Sequence, residues 1–114
     1  MFLVMPRMLT VHESVKVIPW AFTWHPNIVE FVCHDGVETI GNGAFYECPS
    51  LRRVKMPGVK IVEAWALHGC RALRYVECGK LERIGRWAFR VSESLRSINL
   101  PSVKIVEEWA FQEM

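Results

Sequence analysis

One stretch of this chain is written repeatedly at a nearly fixed interval. "PGVKIVEAWAL" (57–67) and "PSVKIVEEWAF" (101–111) match at eight of eleven positions and start 44 residues apart. The offset is two periods, because "GKLERIGRWAF" (79–89) lies between them. "DGVETIGNGAF" (35–45) and a degraded "SVKVIPWAF" (14–22) precede them. Anchored on the alanine of each copy, the series is Ala21, Ala44, Ala66, Ala88 and Ala110, with spacings of 23, 22, 22 and 22. A period in this range is the mark of a stacked-repeat architecture.

The second half of the unit keeps the same register. Seven residues past each anchor come Ile28, Leu51, Leu73 and Leu95; ten past come Phe31, Val54, Val76 and Ile98; twelve past come Cys33, Met56, Cys78 and Leu100. The last two positions are two apart, so they fall on one face of a short strand. Pro57, Gly79 and Pro101 follow the strand and turn the chain back. A second apolar pair comes next: Val59 and Val62, Leu81 and Ile84, Val103 and Val106. The small alanine then allows close approach at a corner, and the phenylalanine after it fills the coil. One such unit cannot bury its own apolar side, whereas stacked units can. The predicted fold is a right-handed solenoid, mainly β, with one short parallel strand per ~22-residue repeat, strands about 4.8 Å apart and short helical turns at the corners. It forms one domain over residues 1–114, with about five coils and an incomplete last repeat.

The bulk numbers agree with a globular chain of this kind and narrow its function. The 114 residues are 51% hydrophobic and 23% charged, with a net charge of +2, a composition too balanced to point to nucleic acid or to a membrane surface. No apolar run reaches the roughly 18 residues of a membrane span, and Pro6 and Arg7 interrupt the apolar start before any signal-peptide pattern forms. Cys33, Cys48, Cys70 and Cys78 form no C-x-x-C pair. Cys48 and Cys70 are equivalent corner positions; Cys33 and Cys78 are equivalent strand positions two coils apart, about 10 Å by the strand spacing and beyond disulfide reach. Cys48 and Cys70, on adjacent coils, are close enough to be bridged. Four reduced, buried thiols are the simpler expectation, and they lean towards an intracellular setting. His12, His25, His34 and His68 are not brought together by the period, so neither a metal nor another cofactor is expected. No nucleophile elbow or phosphate loop is present, and the chain reads as non-enzymatic.

The unit resembles the BspA-like class of the leucine-rich repeat superfamily, whose repeat runs roughly I-G-x-x-A-F-x-x-C-x-x-L-x-x-V-x-L-P. "IGNGAFYECPSLRRVKMP" (40–57) and "IGRWAFRVSESLRSINLP" (84–101) carry the likeness, which covers about residues 14–114. Departures are visible. Val59 sits where other leucine-rich repeats place a ladder asparagine, His25 and Ser92 replace corner cysteines, Gly43 replaces a tryptophan, and neither end shows a capping module. The resemblance implies a scaffold that binds proteins, or else a purely structural segment of a longer surface or adhesin-like solenoid with no binding site of its own.

Columns of side chains are the candidate sites. Trp20, Trp65, Trp87 and Trp109 each precede an anchor alanine, and Trp65, Trp87 and Trp109 would stack on successive coils, either as roof packing or as an aromatic docking strip. Arg52, Arg74 and Arg96 form a second column eight past the anchor, joined by Arg53, Lys55 and Tyr75 on the outer strand face. These either form a solvated column partly neutralised by Glu30, Glu77 and Glu93, or dock an acidic partner. Positions nine and eleven past the anchor vary between repeats, as recognition positions of solenoids do. The incomplete last repeat leaves Ser97–Leu100 as an expected open edge strand. Beside it Val106, Trp109 and Phe111 have nothing stacked on them, and the chain stops at Met114. A homodimer or a further coil is the expected cover for that end.

Overall fold

The computed structural model describes residues 2–4 and 7–112; Pro6 and the corner position assigned to Met114 lie outside them. The coil climbs through short strands that fall into two sheets. Sheet A runs β1 (Phe2–Val4), β2 (Met8–Val11), β4 (Glu30–Val32), β6 (Arg53–Lys55) and β8 (Tyr75–Glu77). Sheet B runs β3 (Val17–Ile18), β5 (Thr39–Ile40), β7 (Ile61–Val62), β9 (Arg83–Ile84) and β10 (Ile105–Val106). All pairings are parallel and in the repeat register, such as Val54 opposite Val76 and Val62 opposite Ile84, except one. β1 folds back antiparallel on β2, pairing Val4 with Leu9 and Phe2 with Val11. The N-terminal edge of sheet A is therefore covered by a hairpin, a cap that the repeat pattern does not contain.

The second apolar pair of each repeat builds a full sheet of its own, so each coil contributes two strands, not one. Among the described residues there is no helix at the corners either. The corner is a run of four-residue turns, with Ala66 N–H donating to Glu63 C=O, His68 N–H to Trp65 C=O, and the same pair of bonds at Ala88 and Arg90. Left-handed backbone prevents their joining into a helix. The residue before the anchor has positive φ in four coils, at Gly43 (66°), Trp65 (64°), Trp87 (58°) and Trp109 (58°). The residue three past it does too, at Trp24 (61°), Glu47 (55°), Gly69 (75°) and Val91 (62°).

These twists create a third ladder. At the −1, +1 and +3 corner positions the N–H donates to the carbonyl of the next coil: Gly43 to Ala64 (3.1 Å), Phe45 to Ala66 (2.8 Å), Glu47 to His68 (2.7 Å). Leu67 to Ala88, Phe89 to Ala110 and Val91 to Gln112 repeat the pattern at 2.8–2.9 Å. Backbone groups that a tight corner would otherwise leave buried and unpaired are thus satisfied. At Gly58 the coils meet backbone to backbone: a Cβ there would lie 2.0 Å from Asp35 O.

Inside this three-sided tube the repeat leucines, valines and corner alanines are buried, Leu51, Leu73, Ala44, Ala66 and Ala88 at 0% exposure. Phe22, Phe45 and Phe31 pack in contact (ring centroids 5.7 and 4.9 Å), and Phe89 stacks on Phe111 at 5.2 Å. Packing thins towards the C-terminal end. Val106 is 50% exposed, whereas its equivalents Ile18, Ile40, Val62 and Ile84 are at most 1%. Ser97–Leu100, expected as the last strand of sheet A, is not a strand, and the edge of sheet A is β8.

Val91 is a β-branched residue held in left-handed backbone, a conformation that costs an L-residue roughly 1–2 kcal/mol. Gly69 fills the equivalent position one coil earlier without that cost. Val91→Gly is therefore expected to stabilise the fold by ~0.5–1 kcal/mol after glycine's extra unfolded-state entropy is subtracted. The urea midpoint should rise; a fall would show that Val91 side-chain packing outweighs the backbone strain.

Candidate functional site

The two side-chain columns lie on different parts of the tube. The aromatic column runs along the corner. Trp87 lies 4.4 Å from Trp65 and 5.5 Å from Trp109, ring centroid to ring centroid. Tyr46 extends it to Trp65 (6.1 Å), and Trp24 extends it to Tyr46 (5.9 Å). Trp24, not Trp20, is thus the column's first tryptophan. Trp20 lies beside the next coil's Gly43, where a Cβ would come within 2.8 Å of the indole. Trp65 and Trp87 are half-buried by their neighbours, while Trp109 is 51% exposed. The column satisfies itself by stacking, and the left-handed backbone at each tryptophan holds the indole over the next.

Behind the tryptophans runs a polar line that the periodicity does not single out. Tyr46, His68, Arg90 and Gln112 occupy one position on four successive coils. His68 is 5% exposed and stacks on Tyr46 (4.8 Å, 9° between planes). Arg90 Nη1 lies 3.1 Å from His68 Nε2, and Arg90 Nε donates to Gln112 Oε1 at 2.9 Å. Arginine only donates, so Nε2 accepts and the imidazole proton sits on Nδ1. That atom faces Glu47 Oε2 at 3.1 Å, close in distance but poorly aligned for a hydrogen bond. Burial is the main cause that lowers the His68 pKa; Glu47 opposes it and Arg90 adds to it. The line is a structural strut that holds a neutral imidazole between Tyr46 and Arg90.

The cationic group lies on sheet A. Arg53, Lys55, Tyr75 and Glu77 point outwards from β6 and β8, with Val54 turned in. The Arg53 guanidinium sits 5.2 Å over the Tyr75 ring. Arg52, Arg74 and Arg96 are exposed on successive coils at the start of the strand segment. Of the glutamates expected beside them, Glu30 lies opposite Arg53 and Glu77 opposite Lys55 in the strand register, without an ion pair. Glu93 is taken by Arg71, with Nη1 to Oε1 at 2.7 Å. Among the described residues no carboxylate pairs with Arg52, Arg53, Lys55, Arg74 or Arg96.

All four cysteines are free and buried. The Cys48 and Cys70 thiols donate to carbonyls of the preceding coil, Phe22 O at 2.9 Å and Phe45 O at 3.2 Å. Desolvation pushes Cys33 up to about 12 and Cys48 and Cys78 up to about 11, and raises Cys70 as well. The thiolate, which is the reactive and metal-binding form, is suppressed at neutral pH. Among the described residues no three His, Cys, Asp or Glu side chains converge on a metal position, and no helix is long and apolar enough to cross a membrane.

Residues 10–114 match the profile of the BspA type leucine rich repeat region, in six copies. The chain belongs to the BspA-type leucine-rich repeat family. Among solved structures it is similar to a T. pallidum leucine rich repeat protein, at 25% identity and a TM-score of 0.78. The likeness covers 98% of this chain and 63% of that one, so the chain spans less than two thirds of its neighbour's length. No curated protein matches it. The match begins at residue 10, a few residues before the degraded copy at 14–22, and β2 already lies in the repeat register, with Leu9 opposite Phe31.

The His68 strut makes the corner sensitive to acid. A histidine whose folded pKa lies below its unfolded value of about 6.5 binds a proton more readily in the unfolded chain, so stability is lost as pH falls below that value. The slope contributed by His68 is at most ~1.4 kcal/mol per pH unit. Urea midpoints at pH 7.5 and 5.5 should differ more for the wild type than for His68→Gln. Equal differences would show that His68 stays neutral in the unfolded chain or protonated in both states.

Proposed function

We propose that the chain is a non-catalytic protein-interaction module that binds an acidic partner surface through the outer face of sheet A, with Arg52, Arg53, Arg74, Tyr75 and Arg96 as its contact residues. The observation that carries this reading is the row of unpaired cations around Tyr75. Their charge is not spent on internal ion pairs, the core does not use them, and the Arg53–Tyr75 pair offers a large, ordered contact of the kind enriched at binding hot spots. The tryptophan column ranks below it, because Trp65 and Trp87 already spend their faces on one another. A segment serving only as a spacer in a longer solenoid has no need of an unneutralised arginine column, since stacked like charges repel.

Affinity capture with the folded chain tests this. Arg53→Glu and Tyr75→Ala are each expected to weaken the captured complex by at least about tenfold, and added salt to weaken it further. Trp87→Ala should leave it nearly unchanged. Loss with Trp87→Ala alone, at unchanged melting temperature, would move the site to the tryptophan column.

The C-terminal end supports a second contact. Ile105, Val106 and Trp109 are each about half exposed there, a bare patch of the sort that repeat proteins cover with a further coil or another copy. The isolated 114-residue chain is therefore expected to self-associate in analytical ultracentrifugation as its concentration rises. A monomer throughout that binds no apolar-surface dye would contradict this.

A further inference from the structure

Sheet A breaks off one strand early, and the break is local. At each earlier step the start of the strand segment bonds back to the coil before: Arg52 N–H donates to Val29 C=O (2.7 Å) and Arg74 N–H to Arg52 C=O (2.9 Å). At its end Cys33 N–H donates forward to Lys55 C=O (3.0 Å), and Met56 N–H to Glu77 C=O (2.9 Å). At the next step both bonds are missing. No described backbone bond joins Arg96 to Arg74 or Cys78 to Asn99; only the Cys78 thiol approaches Asn99 O, at 3.8 Å. Yet the same two coils stay joined elsewhere. β9 pairs with β10, and Phe89 and Val91 donate to Ala110 and Gln112.

Between β8 and the segment that fails to pair with it lies a cleft of about 620 Å³. Arg74, Tyr75 and Glu77 line one side, and Glu93, Ser94, Arg96 and Asn99 the other, with the Glu93 carboxylate held by Arg71. Val76 forms part of the lining and Ile98 follows on the far segment; both pack against the core but remain partly exposed, whereas Val54 in the preceding coil is 1% exposed. An edge strand with unused backbone groups is a template for another strand.

We propose that this cleft takes an extended acidic peptide segment of the partner, added parallel to β8 as the next strand of sheet A, in the place that Ile98 and Asn99 hold without strand pairing and from which the guest displaces them. The inference rests on the sheet A reading above and names the form the partner takes there. The direction follows from the two unused groups: Arg74 C=O needs a donor near the guest's start, and Cys78 N–H needs an acceptor near its end, the pattern that every parallel step of this sheet uses. The register then fixes the chemistry. The guest residue opposite Arg74 comes before the alternating stretch, as Arg74 comes before β8, so its side chain stays outside with the exposed Arg74 and Arg96, neither paired with a carboxylate, and is acidic. Two residues later, opposite Val76, the guest side chain turns inwards and is a β-branched aliphatic. The next, opposite Glu77, is basic or neutral. Backbone bonds supply the affinity, and the arginine pair selects the acidic residue.

The test uses the whole chain and a capped peptide with the core Glu-Thr-Val-Lys, followed by amide hydrogen exchange and titration. Strand addition predicts saturable, salt-weakened binding and at least about tenfold slower exchange of the Cys78 amide. It also predicts at least about tenfold weaker binding for Arg74→Glu, and for a peptide with proline in place of the residue whose N–H meets Arg74 C=O. If the Cys78 and Arg96 amides are already protected in the free chain, sheet A is closed and the proposal fails. If the peptide binds, loses affinity with Arg53→Glu, but leaves Cys78 exchange and the proline peptide's affinity unchanged, strand addition fails while the sheet A face stands as the contact surface. If the peptide does not bind at all while a captured partner is lost with Arg53→Glu, the strand-addition proposal alone is overturned.

Discussion

The corner ladder is the interaction on which everything else in this molecule rests. A 22-residue coil with strands only two to four residues long has few backbone bonds with which to hold its neighbour. The ladder adds two or three more at each step, from residues such as Gly43, Phe45 and Glu47. It also sets the pitch, because Ala66 or Ala88 can be buried under the next coil only where the backbones come this close. Its cost is left-handed backbone at tryptophan, glutamate and valine, where glycine would be the relaxed choice. For Trp65, Trp87 and Trp109 the stacking of one indole on the next offsets that cost, since face contacts between aromatic rings contribute beyond their buried area. Strain and stacking are coupled: the twist that strains the backbone also aligns the rings.

The same geometry decides which surfaces are left for partners. The corner side is occupied by its own rings and by the Glu47–His68–Arg90–Gln112 strut. Sheet B spends Arg83 on Glu107, in a two-pronged contact at 2.7 and 2.9 Å. On sheet A several cations make no ion pair among the described residues, and there the strand ladder lapses. Both features meet at β8, where Tyr75 faces Arg53 on one side and the open cleft on the other.

Much of the fold could be read from the letters, and particular residues show where that reading stops. Leu51, Leu73, Val59 and Ala88 announce their burial by recurring every 22 residues, and every one of them is at 0% exposure. The second sheet was present in the pairs Leu81–Ile84 and Val59–Val62, but two-residue strands carry too short an alternation to be distinguished from a turn. Left-handed tryptophan was invisible because propensity argues against it; the one hint was Gly43 standing in the tryptophan column, a glycine where the neighbours carry indoles. The N-terminal hairpin has no repeat to betray it, since a cap by nature departs from the pattern it terminates. Of the candidate site, the stacking of Trp65, Trp87 and Trp109 was legible, whereas the entry of Trp24 and Tyr46 into that column and the relation between columns were not. That Arg53 would lie over Tyr75, or that Glu93 would turn away to Arg71, depends on side-chain reach across coils, which spacing alone does not encode.

The lapse in sheet A shows how a periodic sequence can lose one ladder and keep two. The coil from Ala88 to Pro101 retains its anchor alanine, its phenylalanine and its leucine, so the corner and sheet B stack as before. What changes lies between them. Where Cys48 and Cys70 bond a carbonyl of the preceding coil, Ser92 turns its hydroxyl to Phe89 O of its own coil at 2.6 Å. The residue before it is the strained Val91, not a glycine. The turn leading into sheet A thus lacks this tie to the coil beneath, and keeps the Arg71–Glu93 pair in its stead. In a solenoid each turn aims the next strand and only neighbouring coils can correct it, so one ladder can lapse within a coil whose other two still hold.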